Sequence, residues 1–404
     1  MLSDEMMNLD RKYALVLPCY SSTDPPTVST IQNLVECGYK VVVFSREFKF
    51  DSYDSVVAYT GRQFLSFKRI HMLQRILIWV SAFWTLRKIL KKYDPAISVA
   101  FMHSQVDMIS FFKKYKFIAC IYDIPSLAFA GKIDKLFITA GLKNLHKAEL
   151  VWCSDIFKAE ITKQDAHLET LPLVCHNCPP VNYLGERTPD DIRWLQNKVS
   201  DLGAIKTAQP YLIMTRAGAV GRYGGIEETL VALKELPDNY IFLLMGRPTA
   251  AFKIVLNDLI AENKLERRVF LIENPDELMW KKVLLGSDAG HLIHIRPSSI
   301  SDAVAYDLNS SLSNNRLFQY MAASIPILSY NDKRLDMIHN EVECFKVVDV
   351  NADIAASIKR LWLELGNEAN LRIRMGMNGR DAHLKKYNWE VQFAPIQSAL
   401  QLYR

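Results

Sequence analysis

The sequence predicts an α/β protein built from two Rossmann-like domains, each a doubly wound parallel sheet. Three observations carry that expectation. Strand-sized apolar runs alternate with amphipathic helix patterns, first in one half of the chain and again in the other. The runs of the first half end in polar residues, as strands do when they deliver side chains to the carboxyl edge of a parallel sheet. At roughly 150 residues per domain, a chain of 404 residues has room for two.

In the first half, YALVLPCY (13–20) reads as a strand, and the turn signal SSTDPP precedes the helix TVSTIQNLVECG. KVVVFS (40–45) is the next strand. Pro25 and Pro26 at the helix start and Gly38 after its end complete a βαβ unit. Further strands are expected at AISVAFMH (96–103), KFIACIYD (116–123) and AELVWCSD (148–155), and this domain is taken as 1–180. Residues 181–209 carry turn formers and charges with few strand signals, and they read as a linker. From 210 to 386 the alternation resumes: PYLIMTR, IEETLVALKEL, YIFLLMG, AFKIVLNDLIAEN, RVFLIE, DELMWKKVLLG, AGHLIHIR, NRLFQYMAAS and PILSY. The two halves share a rhythm but no sequence repeat.

Composition excludes several classes. Half of the residues are hydrophobic and 23% are charged, which is ordinary for a packed globular protein. The net charge of +5 excludes a global polycation, so any affinity for nucleic acid or membrane must come from a local patch; no stacking-and-phosphate module is recognisable, and nucleic-acid binding is not expected. Seven scattered cysteines make no disulfide framework, and Cys175-x-x-Cys178 stands alone where zinc needs four ligands. The start, MLSDEMMNLDRKY, is charged and unlike a secretory signal. The longest apolar run, ILIWVSAFWTL (76–86), falls short of the ~20 residues of a spanning helix. A cytoplasmic protein is expected, with one segment that could seat it on the inner face of the cell membrane.

That segment is 62–92. It holds eight basic residues (Arg62, Lys68, Arg69, Arg75, Arg87, Lys88, Lys91, Lys92), no acidic one, and an apolar centre with Trp79 and Trp84. Two readings stay open: a core helix with charged ends, or an in-plane helix against anionic lipid.

Three features of the second domain point to phosphate. The turn TRAGAVGRYGG (215–225) joins a strand to a helix; Gly218, Gly221, Gly224 and Gly225 permit close backbone approach, and Arg222 adds charge. Gly246 and Arg247 close the strand YIFLLM, and Asn274 and Arg296 follow later strands. Ser313, Asn314 and Asn315 start a helix, where they serve either as plain caps or as the frame of an anion site. One turn on, Gln319 is placed to reach a ribose hydroxyl. In the first domain, strand ends offer His103, Asp107 and Asp123, positions that line ligand clefts in this architecture. His103 either touches a sugar hydroxyl or is a satisfied structural histidine.

SDAGHLIHIRPSS and SLSNNRLFQYMAASIPILSY closely resemble the nucleotide-sugar half of bacterial GT-B glycosyltransferases of the family-4-like group ("glycosyl transferases group 1"). TRAGAVGRYGGIEETLVAL resembles that group's phosphate turn, and VWCSDIFKAEITK with LVCHNCPP resembles the end of its acceptor domain. The resemblance implies two Rossmann-like domains facing a central cleft, with a C-terminal helix at about 387–404 crossing back to the first. It implies transfer of a sugar from a UDP- or GDP-sugar to a glycan or polyprenyl-linked acceptor, with retention, in bacterial surface-polysaccharide synthesis, using neither metal nor cofactor. Asp123 and His103 become the catalytic candidates, because a carboxylate facing the anomeric carbon supports an oxocarbenium-like transition state. The sequence departs from the group at Gln319 and Ser311, where many members carry glutamates, and at Ser324, where they carry glycine. Two alternatives stay in view: a nucleotide-sugar 2-epimerase of related fold, which would need more acid/base side chains around the sugar than Gln319 and Ser311 provide, and a catalytically silent homologue acting as a binding or scaffold subunit, to which those departures point.

Overall fold

The structure is a computed structural model. It describes residues 12–18, 25–45, 56–60, 72–101, 103–121, 132–295, 315–332 and 335–403. The chain forms two units: the first runs through Asn177 and resumes at Gln392, and the second takes the described residues between them.

Unit 1 is a parallel sheet in the order β3-β2-β1-β4-β5-β6-β7. Its strands are β1 (Tyr13–Leu17), β2 (Lys40–Ser45), β3 (Val56–Thr60), β4 (Ile97–Ala100), β5 (Phe117–Ile121), β6 (Leu150–Cys153) and β7 (Leu173–Val174). Ala14 to Leu17 and Val41 to Phe44 are buried without a break, the pattern of strands covered on both faces. Helix α1 (Pro25–Glu36) opens on two prolines, whose missing N–H groups cost nothing there. It stops at Gly38, whose φ of +83° lets the Tyr39 N–H reach the Leu34 carbonyl at 3.0 Å. Helices α2 (Met72–Tyr93), α3 (His103–Ser110), α4 (Lys132–Asn144) and α5 (Ile156–Ala166) follow.

Unit 2 is a second parallel sheet, in the order β10-β9-β8-β11-β12-β13. Its first element is α6 (Pro189–Asp201), inside the stretch expected to be a linker. Thr188 caps it in a reciprocal box with Asp191, and Pro189 takes the first helical position. This helix packs tightly on α9 (Glu277–Gly286): a Cβ on Gly286 would lie 2.5 Å from Leu195 Cβ. So residues 181–209 are part of unit 2, not a spacer. The remaining strands are β8 (Leu212–Ala217), β9 (Tyr240–Met245), β10 (Val269–Ile272), β11 (Ala289–His291), β12 (Ile327–Tyr330) and β13 (Phe345–Val348). Between and after them lie α7 (Ile226–Lys234), α8 (Ala250–Glu262), α10 (Asn315–Ala322), α11 (Asp336–Glu341), α12 (Ile354–Asn367) and α13 (Ala369–Lys385). Ser324 follows α10 with φ +56°, the left-handed conformation that favours glycine.

The last helix, α14 (Trp389–Gln401), begins in unit 2 and continues in unit 1. There Phe393 meets Trp152 edge to face at 5.8 Å, and Tyr39 donates to the Leu400 carbonyl at 2.9 Å. Strand order reverses between β1 and β4 and again between β8 and β11, and ligands of open α/β sheets bind at the carboxyl ends of such switch points.

Candidate functional site

The switch point of unit 2 is where the glycine turn lies. β8 ends at Arg216-Ala217, the turn runs from Gly218 to Gly225, and α7 begins at Ile226. Arg216 is only 2% exposed, although it is an arginine near the end of a strand. Its guanidinium donates to the carbonyls of Ala219 (3.3 Å), Gly224 (2.8 Å) and Ile293 (3.0 Å) and to His291 Nδ1 (3.1 Å). Because His291 accepts at Nδ1, its proton is on Nε2, facing Thr229 Oγ1 at 2.9 Å. Thr229 in turn donates to the Gly225 carbonyl at 2.5 Å. Burial, reinforced by Arg216 and Arg316, holds His291 well below its ordinary pKa, so the ring is neutral. A chain with one fixed polarity thus ties β8, β11 and α7 to the turn. Tyr320 adds α10: its hydroxyl accepts from the Ala217 N–H at 3.0 Å and donates to the Thr215 carbonyl at 2.9 Å.

The glycines have separate physical reasons. A Cβ on Gly246 would lie 1.9 Å from the Gly218 carbonyl oxygen, and Gly246 holds φ +151°. On Gly225, with φ +64°, it would strike Ile293 at 2.6 Å. On Gly224 it would meet Arg216 Nη2 at 2.7 Å, and on Gly218 Arg316 Nη2 at 3.2 Å. Only Gly221 among these five has nothing within 4 Å of that position. Four of the five glycines therefore make room for the protein's own groups, and one opens outward.

Gly221 and Arg222 line a cavity of about 380 Å³ with Glu227, Glu228, Phe252 and Ile295. Arg222 is exposed, and α7 starts there without a side-chain cap, with Glu227 and Glu228 in its first turn. Burial pushes Glu228 above the usual carboxylate range, and Glu227 adds to the shift. Gly246 and Arg247 adjoin the same turn: the Gly218 N–H donates to the Met245 carbonyl at 2.8 Å, and Val220 bridges Pro248. Arg247 and Asn274 are exposed at the ends of β9 and β10, and Asn274 has φ +48°. Asn315 is the first residue of α10, which brings Arg316 to Gly218. Gln319 is buried; its Oε1 accepts from Trp280 Nε1 at 3.3 Å and its Nε2 donates to the Tyr183 hydroxyl at 3.4 Å. Arg296, Ser311, Ser313 and Asn314 lie outside the described residues, as does Asp123 in unit 1.

In unit 1, His103 opens α3 and is 2% exposed; burial lowers its pKa to about 4. A histidine held neutral in the fold but free to protonate when unfolded makes stability fall as pH drops from about 6.5 toward 4. Asp107 is engaged internally, accepting from Asn144 Nδ2 at 2.9 Å. Gln105, which the sequence did not single out, joins the two strands of the switch point: it accepts from the Phe101 N–H at 2.8 Å and donates to the Pro18 carbonyl at 2.5 Å. Arg216, His291, Thr229 and Arg316 were likewise not singled out. An arginine and a histidine inside otherwise apolar strands were the available signal. Among the described residues no group of three or more His, Cys, Asp or Glu is placed to hold a metal ion. Cys175 and Cys178 are both buried.

Helix α2 has two distinct faces. Ala82, Leu86, Ile89 and Leu90 are buried, and Trp79 stacks on Phe83 at 5.3 Å. Leu77 (59%), Val80 (39%) and Trp84 (51%) are exposed, with Phe111 (59%) nearby, its ring 6.0 Å from that of Trp79. The Arg87 guanidinium lies 5.1 Å from the Trp84 ring, and Lys88, Lys91 and Lys92 are exposed. The Arg75 side chain and the basic residues at 62, 68 and 69 lie outside the described residues. No described helix is long and apolar enough to cross a membrane.

No family model matches the chain. No curated protein matches it by sequence. Solved structures do. Sucrose-phosphate synthase from Thermosynechococcus elongatus superposes with a TM-score of 0.69 at 14% identity, covering 97% of this chain and 99% of that one. HepE from Anabaena in complex with UDP-glucose gives 0.69 at 12%, covering 96% and 99%. WaaG, a glycosyltransferase involved in lipopolysaccharide biosynthesis, gives 0.66 at 11%, covering 96% and 99%. A UDP-N-acetylglucosamine 2-epimerase gives a lower 0.55 at 12%, covering 98% and 97%. With two parallel, doubly wound sheets and a last helix that continues into the first unit, the chain has the fold of the GT-B glycosyltransferases.

Proposed function

We propose that the protein is a glycosyltransferase that takes a sugar from a nucleoside diphosphate sugar and moves it to a glycan or lipid-linked acceptor. The observation that carries this reading is the glycine turn at the β8–β11 switch point, fixed by Arg216 and opening at Gly221 and Arg222 into a cavity of about 380 Å³. Backbone amides of such a turn and an arginine beside them can neutralise a leaving diphosphate, the largest electrostatic demand of the reaction. The complex of HepE with UDP-glucose supports a UDP-sugar as donor, and GDP-sugars remain in the same chemical class. The role of WaaG in lipopolysaccharide biosynthesis supports a place in bacterial surface-polysaccharide synthesis. Retention, with Asp123 and His103 as the catalytic candidates, belongs to the same proposal.

A thermal-shift screen of nucleotide sugars, followed by turnover with and without acceptor, tests the reading. Transfer only with acceptor supports it. Conversion of the nucleotide sugar without acceptor would instead identify an epimerase, and binding without turnover a silent scaffold.

Activity is expected to be independent of a metal ion, because arginine and backbone amides carry the phosphate charge in this reading. Transfer should continue undiminished in EDTA. Loss of activity on chelation, restored by magnesium or manganese, would show the phosphate site to be misassigned.

The exposed face of α2 supports a peripheral seat on an anionic membrane, which would present a polyprenyl-linked acceptor beside unit 1. Its apolar centre and basic end match the composition of in-plane interfacial helices.

A further inference from the structure

Helix α13 (Ala369–Lys385) is apolar on two faces. Its inner face packs closely on unit 2. A Cβ on Gly376 would lie 2.1 Å from the Ser324 carbonyl oxygen, and one on Gly379 3.3 Å from Cys344 Cβ. Met375 and His383 are buried on the same side. Arg380, at the border, turns inward and donates to the carbonyls of Ala322 (2.6 Å) and Leu184 (3.2 Å). On the outer face Ile373 (55%), Met377 (64%) and Leu384 (45%) stand exposed.

Single apolar residues on a surface need no explanation, but these three are not scattered. They follow one another at intervals of four and seven residues, which places them in one seam along the helix, as the contact positions of paired helices are placed. Arg374 and Asp381, both exposed, run along one flank of that seam, on either side of Met377. Asp381 holds Lys385 through one oxygen at 2.7 Å, an exposed pair of small worth that leaves the carboxylate open to a second cation.

The pattern complements itself. An antiparallel copy of α13 crossing at Met377 brings Arg374 of each helix to Asp381 of the other and Ile373 to Leu384, with Met377 against Met377. A parallel copy would set Arg374 against Arg374. One cation and one carboxylate beside the seam also lack the positive excess that suits anionic lipid. We propose that the outer face of α13 is the contact of a two-fold, antiparallel dimer of this chain, with an apolar seam closed by reciprocal Arg374–Asp381 pairs. Two helices of 17 residues, each ~25 Å long, make a small contact beside the ~800 Å² per partner of a standard interface, so the dimer is reversible and grows with concentration. The proposal stands apart from the donor reading.

Sedimentation velocity of the full chain at rising concentration tests it. The unaltered chain should pass from monomer to dimer. Met377→Glu, which sets two carboxylates face to face, should stay monomeric over the same range with an unchanged thermal midpoint. Arg374→Asp and Asp381→Arg should each weaken dimerisation by at least ~10-fold through like-charge contacts. Mixed one to one, these two variants regain both opposite-charge contacts, and the dimer should return. A chain that is monomeric at every concentration overturns the proposal, whether or not Met377 then proves necessary for binding to vesicles. A dimer that survives Met377→Glu places the contact elsewhere and overturns it too, and a mixture that fails to recover overturns the antiparallel pairing on which it depends.

Discussion

Arg222→Ala should weaken the binding of UDP and GDP by about 1.5–3 kcal/mol, the size of a lost charge-assisted hydrogen bond. The side chain is exposed and lines the cavity beside Gly221, the one turn glycine whose Cβ position faces open space. None of the hydrogen bonds that fix the turn uses it; those come from Arg216, His291 and Thr229. The variant should therefore fold with an unchanged thermal midpoint, and its loss should appear in nucleotide affinity. Being exposed, this contribution should shrink as salt rises, unlike that of a buried arginine. Calorimetric titration of the two nucleotides into the folded variant gives the answer, and undiminished affinity would remove Arg222 and its cavity from the donor site.

How far the sequence could lead depended on the physics of each element. Runs such as YALVL and KVVVF are buried on both faces, and continuous apolar strands between turn signals are easy to read. β3 was missed because VVAYT is short and lies at the edge of its sheet, with Val57 partly in solvent. α6 was missed although its start signal was present: Thr188-Pro189-Asp190-Asp191 spells a capping box with proline at the first helical position. The glycine turn was visible, but a glycine's reason is not. Gly224 and Gly218 make room for guanidinium groups from β8 and α10, and the contact between them exists only in the folded chain. Arg216 shows the same limit from the other side. Inside a strand it looks out of place, and its hydrogen bonds to Ala219, Gly224 and Ile293 give it a reason no local pattern contains. Gln319 was placed by position alone; its bonds to Trp280 and Tyr183 were not foreseeable.

The protein should float with anionic vesicles and not with neutral ones. The prediction follows from the division of labour on α2. Leu86, Ile89 and Leu90 anchor the helix in the core of unit 1. Leu77, Val80 and Trp84 remain outside, next to the exposed Phe111, and Lys88, Lys91 and Lys92 follow them along the helix. The buried face matches the core-helix reading, and the exposed face is the one the membrane reading requires. An apolar, aromatic surface bounded by cations fits the headgroup region, where each basic residue near an anionic surface contributes ~1 kcal/mol and the contribution falls with salt. Four such residues, Arg87, Lys88, Lys91 and Lys92, make the expected effect about 4 kcal/mol at low salt. Replacing all four by glutamine should abolish flotation with anionic vesicles and leave UDP affinity as it was, because the residues proposed to bind the donor belong to unit 2. Trp84→Ala should fold, since half of that side chain already faces solvent, and should reduce flotation through lost apolar contact with the acyl boundary. Trp79→Ala should behave differently, lowering the thermal midpoint, because it stacks on Phe83 and meets Phe111 edge to face. Flotation at two salt concentrations with vesicles of each charge separates the outcomes. Equal flotation in all four conditions would remove the electrostatic seat, and no flotation in any would leave the exposed face of α2 without a lipid role.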